Sequence, residues 1–169
     1  MKADPVRILG VDTSLRSTGV GVLASDGFRH QAVTYGAITA PRTWPLSQCL
    51  NNLREKLEEI ISAEKPEVAA IEGIFFCKNV KTAVILGQAR GVVIATCTAA
   101  GLPVYEYAPR SVKQGVVGRG AADKSQVAQM VKVLLGLPEV PQNDAADALA
   151  IAHCHANQMR SPAAARKTL

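Results

Sequence analysis

The chain has 169 residues, 48% of them apolar and 20% charged. That balance fits one globular domain with a real core and excludes a disordered or fibrous chain. No uninterrupted apolar run approaches the ~18 residues of a bilayer span, and Met1 to Pro5 leads straight into a strand-like segment, not an export signal, so a cytoplasmic protein with no membrane role is expected. The net charge is +5, and its placement says more than its size: residues 75–132 carry eight basic and two acidic side chains, while the flanking segments are nearly balanced. A one-sided excess of this kind points to a polyanion, most often nucleic acid; a merely solvated basic face is the plain alternative.

In chain order, Val6 to Val11 is a short apolar run that ends in Asp12. A Ser/Thr-rich turn, residues 13–18, separates it from Gly19 to Leu23, which reads as the second strand of a hairpin. Asp26-Gly27 signals a turn into a third strand near Arg29 to Thr39. Leu46, Cys49, Leu50, Leu53, Leu57, Ile60 and Ile61 recur at helical spacing, giving an amphipathic helix that stops before Pro66. Val68 to Ile71 is another short strand, closed by Glu72. A helix over about Val80 to Ala100 follows; its centre, Gly87-Gln-Ala-Arg-Gly91, is small enough to let a neighbouring element approach closely. Gly101-Leu-Pro103 ends it, and Val104 to Tyr107 is the last strand. Gly115 to Gly120 reads as a glycine-rich loop. Asp123 and Gln126 have capping-box spacing ahead of a helix that ends at Gly136, and a final helix runs from about Asn143 to Gln158.

Three strands in series, then strands separated by helices, imply a mixed five-stranded sheet with α/β architecture and helices on both faces. The reading gives one domain, 1–158, and a small, basic tail, 159–169, expected to be mobile. Cys49, Cys77, Cys97 and Cys154 form no C-x-x-C pair and read as reduced, buried thiols. The run His153-Cys154-His155 resembles a metal cluster, but residues i and i+2 of a helix point to different faces, and zinc wants about four converging ligands.

Two strands share one design: an apolar run closed by a single carboxylate, Asp12 and Glu72. Runs that are apolar on both faces belong to covered, central strands, where an acid is costly unless a cation or hydrogen bonds compensate it. Asp144 and Asp147, at i and i+3, share one helix face among alanines; simple N-terminal capping is the competing account. Four carboxylates suit two magnesium ions roughly 4 Å apart, which can activate water and stabilise the leaving oxygen of a phosphodiester. The sequence holds no P-loop, no Rossmann spacing and no evident Ser/His/Asp set.

At this point the residues resemble the RuvC family, bacterial Holliday-junction endonucleases of the RNase H-like superfamily. The likeness runs along nearly the whole chain. It is carried by Leu86-Gly-Gln-Ala-Arg-Gly91, Tyr105 to Ala108, Val112-Lys-Gln114, Val116-Val-Gly118, Lys124 to Val127 and Asp144 to Ala150, with Ile71-Glu72, Phe75 and Lys78-Asn79 also fitting. It implies an RNase H-like fold, a homodimer, symmetric nicking of a four-way DNA junction, and Mg2+ dependence with Mn2+ as a substitute. It places the catalytic, metal-binding acids at Asp12, Glu72, Asp144 and Asp147. Lys113 and Lys124 become the basic residues beside the scissile strand, and Phe75 the residue that stacks on a base near the junction centre. Lys78, Arg90 and Arg119, in the same basic segment, are read as further DNA contacts. Work alongside RuvA and RuvB, the branch-migration proteins, is also implied. One departure stands out: the family usually reads Asp-Pro-Gly after the first strand, and this chain reads Asp12-Thr13-Ser14, which puts the turn geometry in question.

Three other readings use some of the same residues. A related nuclease acting on other branched DNA or on RNA would keep the acids and change the substrate channel. A non-catalytic junction-binding protein gains nothing from four negative charges facing phosphates. An actin-like phosphotransferase needs two such domains and a nucleotide cleft, and this chain is too short for them.

Overall fold

A computed structural model of the chain describes residues 4–73, 79–159 and 168–169. Its sheet has five strands: β1 (Val6–Asp12), β2 (Ser17–Ser25), β3 (His30–Thr39), β4 (Val68–Glu72) and β5 (Val104–Tyr107). They lie in the order β3-β2-β1-β4-β5. The first three pair antiparallel, and β4 and β5 add in parallel. The mixed sheet expected from the sequence is therefore the one observed, with the apolar β1 at its centre.

Alternation along β1 and β4 builds two cores. Ile8, Val68 and Ala70 face one side, where α3 (Pro109–Val117), α4 (Lys124–Leu135) and α5 (Asn143–Met159) cover them. Leu9, Val11, Ala69 and Ile71 face the other, against α1 (Leu46–Glu64) and α2 (Val80–Ala99). On that second side, Leu53 and Leu57 of α1 and Ala89, Val93 and Cys97 of α2 fill the space with ordinary side-chain packing.

The first side is built differently. A Cβ added to Gly10 would lie 2.0 Å from the carbonyl oxygen of Ala148, and one on Gly19 would lie 1.9 Å from that of Asp144. Gly21 would meet the Leu149 side chain at 2.9 Å. Gly10 pairs with Gly21 across β1 and β2, so the sheet presents a glycine floor. Helix α5 lies backbone-close on it, with Ala145, Ala146, Ala148, Ala150, Ala152 and Ala156 all buried. The thin side-chain bulk of α5 is what lets the helix sit this low.

One element differs from the sequence reading. Helix α3 takes in Gly115 to Val117, so the expected loop shrinks to the residues from Gly118, whose φ of 78° ends the helix in the left-handed region. Two signals mark this helix in the sequence. Pro109 sits in its first turn, and Val112 and Val116 bury one face at i, i+4. Helix α4 opens with the expected capping box between Asp123 and Gln126.

Helix α2 is long and apolar enough, by length and composition alone, to match a bilayer span, although no uninterrupted apolar run marks it. Its inner face is already taken by the core. Val80, Val84, Gly87, Gly91, Ala95 and Thr98, spaced three or four apart, are exposed on its outer side, and nothing within the chain lies within 4 Å of a Cβ built on Gly87 or Gly91. The close neighbour expected there is not part of this chain's described residues. Of the expected tail, Thr168 and Leu169 are described: Thr168 bridges Tyr105, and the Leu169 N–H donates to the Val104 carbonyl at 2.9 Å.

Cys49, Cys97 and Cys154 are free and buried, and burial pushes the Cys97 thiol up to about 12 and the Cys154 thiol up to about 11. The two histidines of the His153-Cys154-His155 run take separate partners. His153 packs edge-on to His30, and the Tyr107 hydroxyl lies 2.6 Å from His155 Nδ1.

Candidate active site

The site grows from the register of the sheet. Val11 pairs with Ile71 across the parallel strands β1 and β4, so Asp12 and Glu72 leave adjacent strand ends. Both continue the parity of the residues that face α5 (8, 10 and 12; 68, 70 and 72), so both carboxylates rise on the face that α5 covers. Along α5, residues 145–156 are buried except Asp147, and Asp144 just before them is also partly open. The two acids are thus where this buried helix meets solvent, above Asp12 and Glu72.

The electrostatics tie the four together. Asp12 is raised from 3.8 to about 7, first by burial, then by the charges of Asp147 and Glu72; Lys124 opposes this and Asp144 adds to it. Glu72 is also raised, again by burial first and then by Asp147, with Lys124 and Lys113 pulling the other way. Lys124 Nζ donates to Asp147 Oδ2 at 3.1 Å. That bond and the Asp147 charge raise the lysine, with Asp12 and Asp144 contributing. Lys113 and Lys124, predicted beside the scissile strand, therefore both act electrostatically on the acids.

Among the described residues no group of three His, Cys, Asp or Glu side chains already stands arranged to hold a metal ion. Four like charges repel one another, and Asp147 and Asp144 are each held by a neighbour, Lys124 and Ser17. The donor chemistry nevertheless fits a hard divalent cation. All four candidate donors are carboxylates, and the burial and neighbouring negative charge that push Asp12 and Glu72 towards protonation are what a bound cation would offset.

Arg90, expected as a DNA contact, is mostly buried. Its guanidinium donates to the Glu72 carbonyl at 2.6 Å and pairs with the Glu106 carboxylate, and its side chain is only 11% exposed. Gly73 makes room for this, since a Cβ there would lie 3.2 Å from the Glu106 carboxyl group. Arg90 thus fastens the strand end that carries Glu72. Arg119 is exposed and close enough to Asp123 to lower that carboxylate, after the helix-capping bonds. Phe75 and Lys78 lie outside the described residues. Sequence reasoning missed Ser17, whose hydroxyl donates to Asp144; its signal was the Ser/Thr-rich turn. It also missed the Gly10-Gly19-Gly21 floor, visible only once the strands are paired.

The two acids of the basic segment are both engaged, Glu106 with Arg90 and Asp123 in its capping box. Of the other basic residues in the segment, Lys124 pairs with Asp147 and Arg119 lies near Asp123, while Lys81, Arg110, Lys113 and Lys132 make no salt bridge among the described residues.

The profile of the family described as crossover junction endodeoxyribonuclease RuvC matches residues 8–155. The chain belongs to the RuvC family. It is 49% identical over 152 residues to the RuvC of Geotalea uraniireducens, covering 90% of this chain and 89% of that protein. It is 47% identical over 151 residues to that of Alkaliphilus oremlandii, covering 89% and 92%. Among solved structures it resembles the T. thermophilus RuvC in complex with a Holliday junction substrate. The TM-score is 0.90 at 33% identity, with 97% of this chain and 99% of that one covered. A yeast mitochondrial Holliday junction resolvase, Ydc2, shares the fold, with a TM-score of 0.65 at 12% identity over 90% of this chain and 78% of that one. The RNase H-like architecture read from the sequence is that of the RuvC family.

Proposed function

We propose that this chain resolves four-way DNA junctions by paired, symmetric nicking, with Asp12, Glu72, Asp144 and Asp147 as its catalytic acids. The observation that supports this most directly is the meeting of these acids at one end of the sheet, flanked by Lys113 and Lys124. The four carboxylates would hold magnesium, two ions per site, with manganese as a substitute; bound there, such ions activate the attacking water and offset charge on the leaving oxygen. Asp12 and Glu72 form the floor of the site and Asp144 and Asp147 its wall. Lys124, 67% exposed, can exchange its bond to Asp147 for a phosphate oxygen, and Lys113 reaches the same place from α3. Both ammonium groups then lie where charge develops in the transition state.

Phe75 is proposed to stack on a base at the opened junction centre, worth about 1–3 kcal/mol, with Lys78 and Arg119 as backbone contacts. Arg90 is assigned to positioning Glu72 in place of touching DNA. The exposed, small-residue stripe of α2 is the proposed seam of a C2 homodimer, one active site per nicked strand. RuvA and RuvB are the expected partners, and a cytoplasmic location fits this role. Residues 1–158 would form the nuclease domain and 159–169 its basic tail.

The test is a panel of synthetic four-way junction, flap, duplex and RNA–DNA hybrid substrates, with and without magnesium, with the nicks mapped. Paired nicks at symmetric positions in the junction alone are expected. Equal cutting of flaps or hybrids would favour the broader nuclease reading, and binding without any nick would favour a junction-binding protein.

A further inference from the structure

The turn between β1 and β2 departs from the family's usual Asp-Pro-Gly, and its side chains build a structure of their own. The Ser14 N–H donates to Thr18 Oγ1 at 3.2 Å, and the Thr18 hydroxyl donates back to the Ser14 carbonyl. The Ser17 N–H reaches Ser14 Oγ at 3.4 Å. Arg16 anchors the turn from outside. Its guanidinium donates to the carbonyls of Pro41 and Trp44, and its own carbonyl accepts from the Ala40 N–H at 3.0 Å. Residues 14 to 18 are therefore held at both ends, by each other and by the connection between β3 and α1.

The outcome of that bracing is the placement of one hydroxyl. Ser17, the first residue of β2, donates to Asp144 Oδ2. Two residues on, Gly19 lies against the Asp144 backbone so closely that any side chain would collide with it. Strand β2 thus grips residue 144 twice, through the main chain by Gly19 and through the carboxylate by Ser17. A hydroxyl bonded to a carboxylate is a charge-assisted bond, about twice as strong as a neutral one. It is directional, so it restrains the carboxylate's torsion and leaves the second oxygen outside this bond.

We propose that Ser17 is a positioning residue for Asp144, orienting its carboxylate for cation binding in the way outer-shell partners orient metal ligands. The proposal rests on the reading of Asp144 as a metal ligand. It also gives the Thr13-Ser14 departure a consequence: the Ser/Thr-rich turn replaces a rigid Pro-Gly corner with a hydrogen-bonded one that delivers this hydroxyl.

The experiment uses Mn2+ binding to the DNA-free protein, followed by electron paramagnetic resonance, alongside the metal dependence of junction cleavage. Ser17→Thr keeps the hydroxyl and Ser17→Val removes it at nearly the same volume, so the pair isolates the bond from packing. Ser17→Val should weaken Mn2+ binding roughly 10- to 100-fold relative to Ser17→Thr, and should recover most of its cleavage at saturating metal. In an Asp144→Asn background the two should bind Mn2+ alike. Equal Mn2+ affinity of Ser17→Val and Ser17→Thr, with Asp144→Asn itself weakened, would overturn the role of Ser17 alone. Wild-type Mn2+ affinity in Asp144→Asn would overturn the underlying assignment of the ligand, and with it this inference.

Discussion

The two faces of the sheet solve the same problem by opposite means. Beneath α1 and α2 the space is filled by Leu, Val and Ile side chains, with Leu53 and Leu57 almost wholly buried. Beneath the first half of α5 it is closed by taking side chains away, glycine on the strands and alanine on the helix. The first arrangement tolerates small adjustments, because side chains can change rotamer. The second cannot, because backbone meets backbone. The four proposed catalytic acids lie on the second face: a site whose two walls must keep their spacing is placed where the spacing is set by main chain.

That contrast is sharpest if function and stability can be separated across it. Asp12→Asn, Glu72→Gln, Asp144→Asn and Asp147→Asn should each lower junction cleavage by about 10³-fold or more, equivalent to roughly 4 kcal/mol of transition-state stabilisation. Junction binding should persist and metal-free melting should not fall, since each change relieves repulsion. Gel-shift, cleavage and melting assays on the same preparations check this; near wild-type cleavage in two of the four would break the assignment.

On the opposite face, Leu57→Ala should cost about 2–5 kcal/mol of stability while the molecules that remain folded cut at the normal rate. Denaturant titration with single-turnover cleavage below the melting range measures both. Gly10→Ala should lose about 1–3 kcal/mol and, unlike Leu57→Ala, should also lose cleavage, because lifting α5 carries Asp144 and Asp147 away from Asp12. A Gly10→Ala protein that is destabilised yet fully active would erase the distinction between the faces.

A separate effect is expected in the pH dependence of the metal-free protein. Asp12 is raised from 3.8 to about 7, so between those values the unfolded chain has released a proton that the folded chain retains. Stability must therefore fall as pH rises from about 4 to about 7 and level off above, where both states are ionised. Melting curves across this range should show the decline, Asp12→Asn should flatten it, and added magnesium should reverse it. A decline of wild-type size in Asp12→Asn would place the proton elsewhere.

Much of this was legible in the sequence because it depends on strand periodicity. An apolar run that ends in a carboxylate fixes the face and height of Asp12 and Glu72 once the two strands pair, and Asp144 and Asp147 announce themselves by i, i+3 spacing in an alanine helix. What escaped depends on contacts between distant segments. Helix α3 was hidden because Gly115 and Gly118 suggest a loop, while its burial against Cys154 comes from α5. Arg90 looked like one more cation of a basic segment; only the neighbouring strands reveal Glu106 and the Glu72 carbonyl beside it. Ser17 lies 127 residues from Asp144, and no local pattern links them.

The position of α5 in the chain has a consequence for synthesis. All five strands are complete once residue 107 has been made, so the sheet can assemble with Asp12 and Glu72 already at its end. The remaining two acids arrive only with the last helix, which is also what covers the glycine floor. A nascent or prematurely terminated chain that stops before Asn143 has two of the four proposed acids and an uncovered glycine floor. The closing of the glycine floor and the completion of the proposed four-acid site are thereby joined in one helix.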